Sequence, residues 1–390
     1  MLCDINSCSG CAACFNACPK GAISMVEDAE GFSRPQIDES ACVRCGLCDK
    51  SCPVLNPVAL NPPSPKALAC WSLDNPVRLD STSGGAFSEL ALAVLREGGV
   101  VFASGCDENL YLRVRRVENE SDLGSVRQSK YWQSDVGTSL REIKGALKEG
   151  RRVLFVGTPC QVAGARAYLG DLQNDPLLWT ADLICGGAPS PGVFRKYLDY
   201  LRETLGRGIR SINMRDKTKS WEFPRTSVVL EDGSKRILRE EKDWFKTGFY
   251  NRLFNRPCCD ECPYANKTRV GDLTIGDYWG LGSLDPVSYP KKKGVSAVLC
   301  NTPRGEMAIE AIKERCFIEE RKSDELVQRA MERPAKSNRR REAFFADLKK
   351  EPIRVVVKKY LRRNWKTRLR SAVASLLPAS LCAKFLKKSR

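Results

Sequence analysis

The sequence predicts an α+β protein, with a small cysteine-rich module at the N-terminus and a larger α/β domain behind it. Three observations predict it. Two cysteine runs crowd the first 56 residues. A proline-rich stretch from Asn56 to Pro65 follows, suited to an extended spacer. From Lys66 onward, apolar runs of strand length alternate with segments of helical periodicity. The expected divisions are 1–56, a linker 57–65, an α/β domain 66–335 and a basic tail 336–390.

The first run reads Cys8-Ser-Gly-Cys11-Ala-Ala-Cys14-Phe-Asn-Ala-Cys18-Pro19, and the second Cys42-Val-Arg-Cys45-Gly-Leu-Cys48-Asp-Lys-Ser-Cys52-Pro53. Each is C-x2-C-x2-C-x3-C-P, the spacing of a two-cluster 4Fe-4S ferredoxin, in which the fourth thiolate of each run serves the other run's cluster. Cys8, Cys11, Cys14 and Cys52 are therefore expected to hold one cluster, and Cys42, Cys45, Cys48 and Cys18 the second. Pro19 and Pro53 turn the chain away after the last ligand. Zinc sites take their ligands as separated pairs, which argues against a zinc module. A chain of this length without a secretory signal argues against a disulfide framework. Cys3 lies outside the pattern and reads as a plain thiol. The residues between the runs, Gly21 to Ala41, read as a hairpin turning at Gly31.

Composition narrows the chemistry. The 390 residues hold 19 cysteines and no histidine. Nucleophile pairs built on histidine and histidine metal ligation are excluded. So many thiols point to a reducing, cytoplasmic setting and to metal ligation. The net charge is +17, and fourteen Lys or Arg against one acid lie between Lys349 and Arg390. The rest is nearly balanced, which excludes a nucleic-acid binder. The apolar part of the tail, Ala372 to Cys382, is too short to span a bilayer. It reads either as a packing helix in a solvated tail or as a membrane-surface contact.

Taken in order, the second domain is expected to form a strand at 67–72, a helix at 86–96, and strands at 99–103 and 110–117. A helix at 139–148, a strand at 152–156, a helix at 162–169, a strand at 179–184 and a helix at 193–205 follow. Later strands fall at 227–230, 273–275 and 296–300. Ser81-Thr-Ser-Gly-Gly85 opens a helix, where backbone N–H groups suit an anion such as a pyrophosphate, or else form a simple N-cap. Val153 to Gly157, Thr158-Pro-Cys160-Gln161 and the following helix make a strand, turn and helix, with Cys160 at a helix start that favours thiolate. Leu183-Ile-Cys185-Gly-Gly-Ala-Pro189 repeats that geometry. In Cys258-Cys259-Asp-Glu-Cys262-Pro263 the pair Cys259 and Cys262 reads as ligating, while spacing leaves Cys160 and Cys185 open between ligands and small buried residues.

These segments resemble the family of coenzyme F-420 hydrogenase/dehydrogenase beta subunits. The pattern is carried by Ser83-Gly-Gly85, Ser129-Lys-Tyr131-Trp-Gln-Ser134, Gly157-Thr-Pro-Cys-Gln161, Cys185-Gly-Gly-Ala-Pro-Ser190, Arg215-Asp-Lys217, Cys259 to Cys262 and Gly271 to Gly280, in order over about 66–300. The fused N-terminal module resembles bacterial members associated with polysaccharide synthesis. The resemblance implies an α/β flavin-binding domain, FAD, and a third 4Fe-4S cluster on Cys160, Cys185, Cys259 and Cys262. It implies flavin contacts at Ser83, Gly84, Gly85, Lys130, Thr158 and Gln161. The implied function is an iron–sulfur flavoprotein oxidoreductase, exchanging electrons with a redox partner protein and with an organic small molecule or deazaflavin. The alternative is a non-catalytic electron-transfer subunit docked on a partner enzyme. One departure is Gly186, where family members often carry histidine; a proton donor or substrate contact is expected to be missing there.

Overall fold

The computed structural model describes residues 2–64, 66–239, 242–326 and 328–361. In the N-terminal module, strands β1 (Ile23–Glu27) and β2 (Ser33–Ile37) pair antiparallel around Gly31. That is the expected hairpin, and the positive φ of Gly31, +83°, is the reason for glycine at the turn. The short helices Ala13–Ala17 and Leu47–Lys50 carry Cys14 and Cys48.

The larger domain is built on an eight-stranded mixed sheet. Its strands are β3 (Lys66–Ser72), β4 (Val100–Cys106), β5 (Leu112–Val117), β6 (Val153–Gly157) and β7 (Leu178–Leu183). A separate three-stranded sheet is formed by β8 (Ile209–Asp216), β9 (Arg225–Leu230) and β10 (Lys235–Ile237). The large sheet is completed by β11 (Leu273–Asp277), β12 (Ser296–Cys300) and β13 (Cys316–Lys322), in the order β13-β3-β12-β11-β7-β6-β4-β5. β4, β6, β7 and β11 run parallel, and the pairs outside them run antiparallel.

Each face of the sheet is covered. Helix Ala86–Arg96 lays Leu90, Ala91 and Val94 on Val101, Leu154 and Ile275. Helices Ser139–Lys148 and Pro159–Leu169 cover the opposite face, and Ala12 and Ala13 of the N-terminal module join that core. An aromatic core under the small sheet gathers Phe194, Tyr197, Trp244, Phe245 and Phe254, and Phe32 of the hairpin enters it fully buried. The N-terminal module is thus seated in two cores at once.

Two segments differ from expectation. The proline-rich stretch is extended but pinned: Asn61 bonds the Arg269 carbonyl through its N–H at 2.7 Å, and Val58 and Leu60 pack against the core. The basic tail begins with two packed helices, Arg341–Lys350 and Ile353–Tyr360. They bury Phe344, Phe345, Leu348 and Val356 in the aromatic core, where each large apolar side chain contributes about 1.5–3 kcal/mol. The stretch Ala372 to Cys382 lies outside the described residues. Among the described residues no helix is long and apolar enough to cross a membrane.

The end of β7 is fixed by a buried ion pair. Asp182 is fully buried and accepts from Arg269 Nη2 at 2.5 Å, from the N–H groups of Val270 and Gly271 at 3.0 and 2.8 Å, and from Thr274 Oγ1 at 2.9 Å. Arg269 also donates to the carbonyls of Leu183 and Tyr264. The pair therefore ties the segment after Cys262 to the strand that leads into Cys185. Replacing Arg269 by Met strands a buried carboxylate, and the expected loss is about 3–5 kcal/mol, read as a lowered urea midpoint at unchanged slope.

Candidate functional site

The eight cysteines of the two runs gather around two cavities, and the pairing is crosswise. One cavity is lined by Cys8, Cys11, Cys14 and Cys52, and also by Cys3 and Cys48, with Leu2, Met25 and Val54. The other, of about 390 Å³, is lined by Cys18, Cys42, Cys45 and Cys48, with Ile23, Ile37 and Val43. Cys48 and Cys52, four residues apart, reach different cavities, although Cys48 also touches the rim of the first. Local backbone makes this possible: Ala12, Arg44 and Gly46 take positive φ, so the chain curls around each void. The first cavity is deep, with Cys8 and Cys11 buried, whereas Cys45 is exposed.

The surroundings suit anionic sulfur. Ala22 N–H donates to Cys18 Sγ at 3.3 Å, and Arg256 Nη2 to Cys8 Sγ at 3.6 Å. Such donors stabilise a charged sulfur held by metal. A hydrogen bond from Cys3, and then the Arg256 charge, pull the Cys8 thiol below its ordinary value. The Cys3 thiol also bonds Cys52, so it is a neighbour of this cavity and not an isolated thiol. Every described cysteine is a free thiol. Cys8, Cys11, Cys14 and Cys52 share one largely apolar void with Cys3 and Cys48, and four thiolates around a void are the set a four-iron cage needs.

A second group of thiols forms where β6 and β7 end. Cys160 sits one residue into helix Pro159–Leu169, after a capping box of Thr158 and Gln161. Cys185 follows β7, and Gly187 takes φ +113° with the Asn255 amide packed where a Cβ would be, so the turn requires glycine. Cys160 interacts electrostatically with Cys258, Cys185 and Cys262, and Cys259 with Cys258 and Cys185. The four cysteines singled out by sequence thus come together, and Cys258 joins them. Cys259 Sγ accepts from Ala188 N–H at 3.3 Å. The expectation of a thiolate at Cys160 from the helix start is corrected: burial dominates and pushes its pKa well up, as it pushes Cys185 up to about 11. One helical terminus does not offset full desolvation of a thiolate; a bound metal would.

The remaining predicted residues lie along the same C-terminal edge of the parallel strands, where open α/β sheets bind ligands. A hydrogen-bonded series leads away from Cys160. Thr158 Oγ1 is 3.2 Å from Cys160 Sγ, Gln161 Oε1 accepts from Thr158 N–H at 2.9 Å, and Gln161 Nε2 donates to Ser134 Oγ at 2.8 Å. Ser104 Oγ then donates to Ser134 Oγ at 2.9 Å, and Lys130 Nζ to the Ser104 carbonyl at 3.0 Å. Burial pushes Lys130 down to about 8. Ser83 and Gly84 stand apart, with internal partners: Ser83 Oγ donates to Val295 O at 2.6 Å and Gly84 N–H to Ser296 Oγ at 3.0 Å. Gly85 takes φ +101° at the helix start.

Beside this edge is a group whose geometry was not legible in the sequence. Arg215, at the end of β8, pairs with Asp277 at the end of β11 at 3.1 Å and bonds Tyr131 OH at 3.4 Å. Its guanidinium lies 5.3 Å from the Trp279 ring centroid. Trp221 Nε1 donates to the same Asp277 at 2.8 Å, and Tyr131 stacks on Phe249 at 4.8 Å. A Cβ at Gly186 would be 3.6 Å from Phe249, so the position that departs from the family borders this group and the Cys185 turn. Arg215 is 6% exposed, and its Nε and Nη2 are buried without a partner. Unsatisfied N–H groups on a buried cation are costly and fit an anionic edge of a planar ligand.

Comparison with known proteins agrees with both halves. Residues 7–56 match the 4Fe-4S dicluster domain, and residues 150–325 match the C terminus of the coenzyme F420 hydrogenase/dehydrogenase beta subunit. A subunit of the F420H2 dehydrogenase of Methanosarcina mazei is 27% identical over 287 residues, 70% of this chain and 77% of that protein. A chain of the F420-reducing NiFe hydrogenase complex from Methanosarcina barkeri, solved with xenon derivatization, aligns over 67% of this chain and 85% of its own, at TM-score 0.46 and 18% identity.

The junction between the domains supplies a test. A Cβ at Gly164, in helix Pro159–Leu169, would lie 2.6 Å from Cys11 Cβ and 2.8 Å from its Sγ. Gly164→Val is expected to displace the Cys11 loop and lose about one four-iron cluster's worth of iron. Iron analysis after anaerobic reconstitution, with circular dichroism to show a retained fold, checks it.

Proposed function

We propose that this chain, an iron–sulfur protein in which a 4Fe-4S dicluster domain precedes a region matching the C terminus of coenzyme F420 hydrogenase/dehydrogenase beta subunits, passes electrons between a redox partner protein and FAD, and on to an organic acceptor. The ligand sets proposed are Cys8, Cys11, Cys14 and Cys52; Cys18, Cys42, Cys45 and Cys48; and Cys160, Cys185, Cys259 and Cys262. The observation that carries the reading is the succession of thiol groups. It starts at exposed Cys45, continues through buried Cys8 and Cys11, and reaches the group at the sheet edge, where Cys258 interacts with Cys8.

Bound flavin would collect single electrons from the clusters and release them as a pair. The chain's own residues hold the ends of that path. The Arg215, Tyr131 and Trp279 group offers a cation and aromatic faces to a planar anionic ring. Lys130, Gln161 and Thr158 form the polar edge leading back to Cys160.

A second reading is an electron-transfer subunit that needs a partner enzyme for turnover. Val43 and Leu47 are exposed beside the outer cavity, and Val54, Leu55 and Ile5 are exposed elsewhere on the same module. Exposed apolar side chains around a one-electron site suit transient docking. The relative from Methanosarcina mazei is itself named a subunit.

Anaerobic reconstitution with iron, sulfide and FAD separates the readings. The expected outcome is about twelve iron atoms per chain, retained FAD, and turnover of a deazaflavin or an oxidised sugar with reduced viologen as donor. Iron without flavin supports the subunit reading; eight cysteines without iron would end both.

A further inference from the structure

Arg256 is fully buried between the N-terminal module and the segment carrying Cys258 and Cys259. Its guanidinium lies over the Phe32 ring at 5.4 Å. Nε donates to the Cys8 carbonyl at 2.7 Å, Nη1 to Gln133 Oε1 at 2.8 Å, and Nη2 to the Ser33 carbonyl at 3.0 Å and to Cys8 Sγ at 3.6 Å. None of these partners is a carboxylate. Arg34, its neighbour on Cys8, differs: it is paired with Asp28 at 2.8 Å.

A guanidinium is a permanent cation, and a buried charge requires a compensating one. The group facing Arg256 is the thiol-lined inner cavity. Among the described residues the outer cavity has no comparable cation in its interior; its basic residues, Lys20 and Arg44, are exposed.

We propose that Arg256 is a positioning residue that supplies the counter-charge to the cluster held by Cys8, Cys11, Cys14 and Cys52, making it easier to reduce than the outer cluster. This rests on the ligand sets proposed above. Reduction adds one electron from a low-potential donor and breaks no bond; the site gains one negative charge, which a fixed buried cation favours. Electrons arriving at exposed Cys45 would then collect at the junction, next to Cys258, and not remain at the surface.

The test uses the full chain reconstituted anaerobically, titrated with dithionite and followed by electron paramagnetic resonance. Arg256→Gln removes the cation. Gln133→Glu keeps it and puts a carboxylate at Nη1, so it decides the matter even if Arg256→Gln does not fold. In both, the midpoint of one cluster is expected to fall by about 59 mV, a roughly tenfold loss of the reduced form for a one-electron couple, with the other clusters unmoved. Arg256→Lys, which keeps the charge, should retain most of the potential. Clusters present with unmoved midpoints in Gln133→Glu overturn this inference alone; a chain that takes up no iron overturns the ligand sets with it.

Discussion

Crowding thiolates into a protein interior is the constraint from which the rest of this structure follows. A four-thiolate set, as proposed for these cysteines, would concentrate negative charge, and burial raises the cost of every unit of it. The fold answers with N–H donors from Ala22 and Ala188, and with the guanidinium of Arg256 at the buried Cys8 thiol. Where burial outweighs such donors, as at Cys160, Cys185, Cys11 and Cys14, the group is driven toward the neutral thiol. Metal and fold are thus coupled, since the ligand must be deprotonated to bind.

The sheet places these groups. Four parallel strands end on one edge, so the turns after β6 and β7 deliver Cys160 and Cys185 side by side, and β11 delivers Asp277. Cys259 and Cys262 come from a distant segment, drawn in by the Asp182–Arg269 pair beneath Cys185. Glycine at 164 lets the N-terminal module approach close enough for Cys11 to touch the helix Pro159–Leu169, which carries Cys160 in its first turn. One helix therefore presents a thiol at its start and contacts another thiol group along its side.

Much of this was legible in the sequence, for physical reasons. The crosswise cavities follow from C-x2-C-x2-C-x3-C spacing, which is a local covalent constraint. Buried parallel strands such as Val153–Gly157 read as continuous apolar runs. The small sheet was largely missed: β8 interleaves Arg210, Ser211 and Asn213 with its apolar residues, and β10 is exposed throughout. The helices at 341–360 were hidden in basic composition, because their few aromatic and aliphatic residues carry the packing while most of the charges, Arg341 excepted, lie at the surface. Arg256 gave no signal, since nothing in its neighbours distinguishes a buried arginine from an exposed one.

The same accounting of donors weighs the two anion-binding features against each other. The helix start after Gly85 has glycines and a favourable dipole, but the N–H groups of Gly84 and Ala86 both face Ser296 Oγ. A Cβ at Gly84 would lie 2.2 Å from the Cys70 carbonyl, so that glycine is required by packing against β3 whatever else it does. An incoming phosphate there would have to displace existing bonds and would gain little net energy. Arg215 is in the opposite condition. Its single carboxylate, Asp277, is shared with Trp221, and two of its N–H groups have no partner. A ligand oxygen there satisfies donors already desolvated, and binding gains the full value of the new bonds. A ligand of the kind proposed above would find its unmet donors on the Arg215 side of the edge and not at the helix start after Gly85.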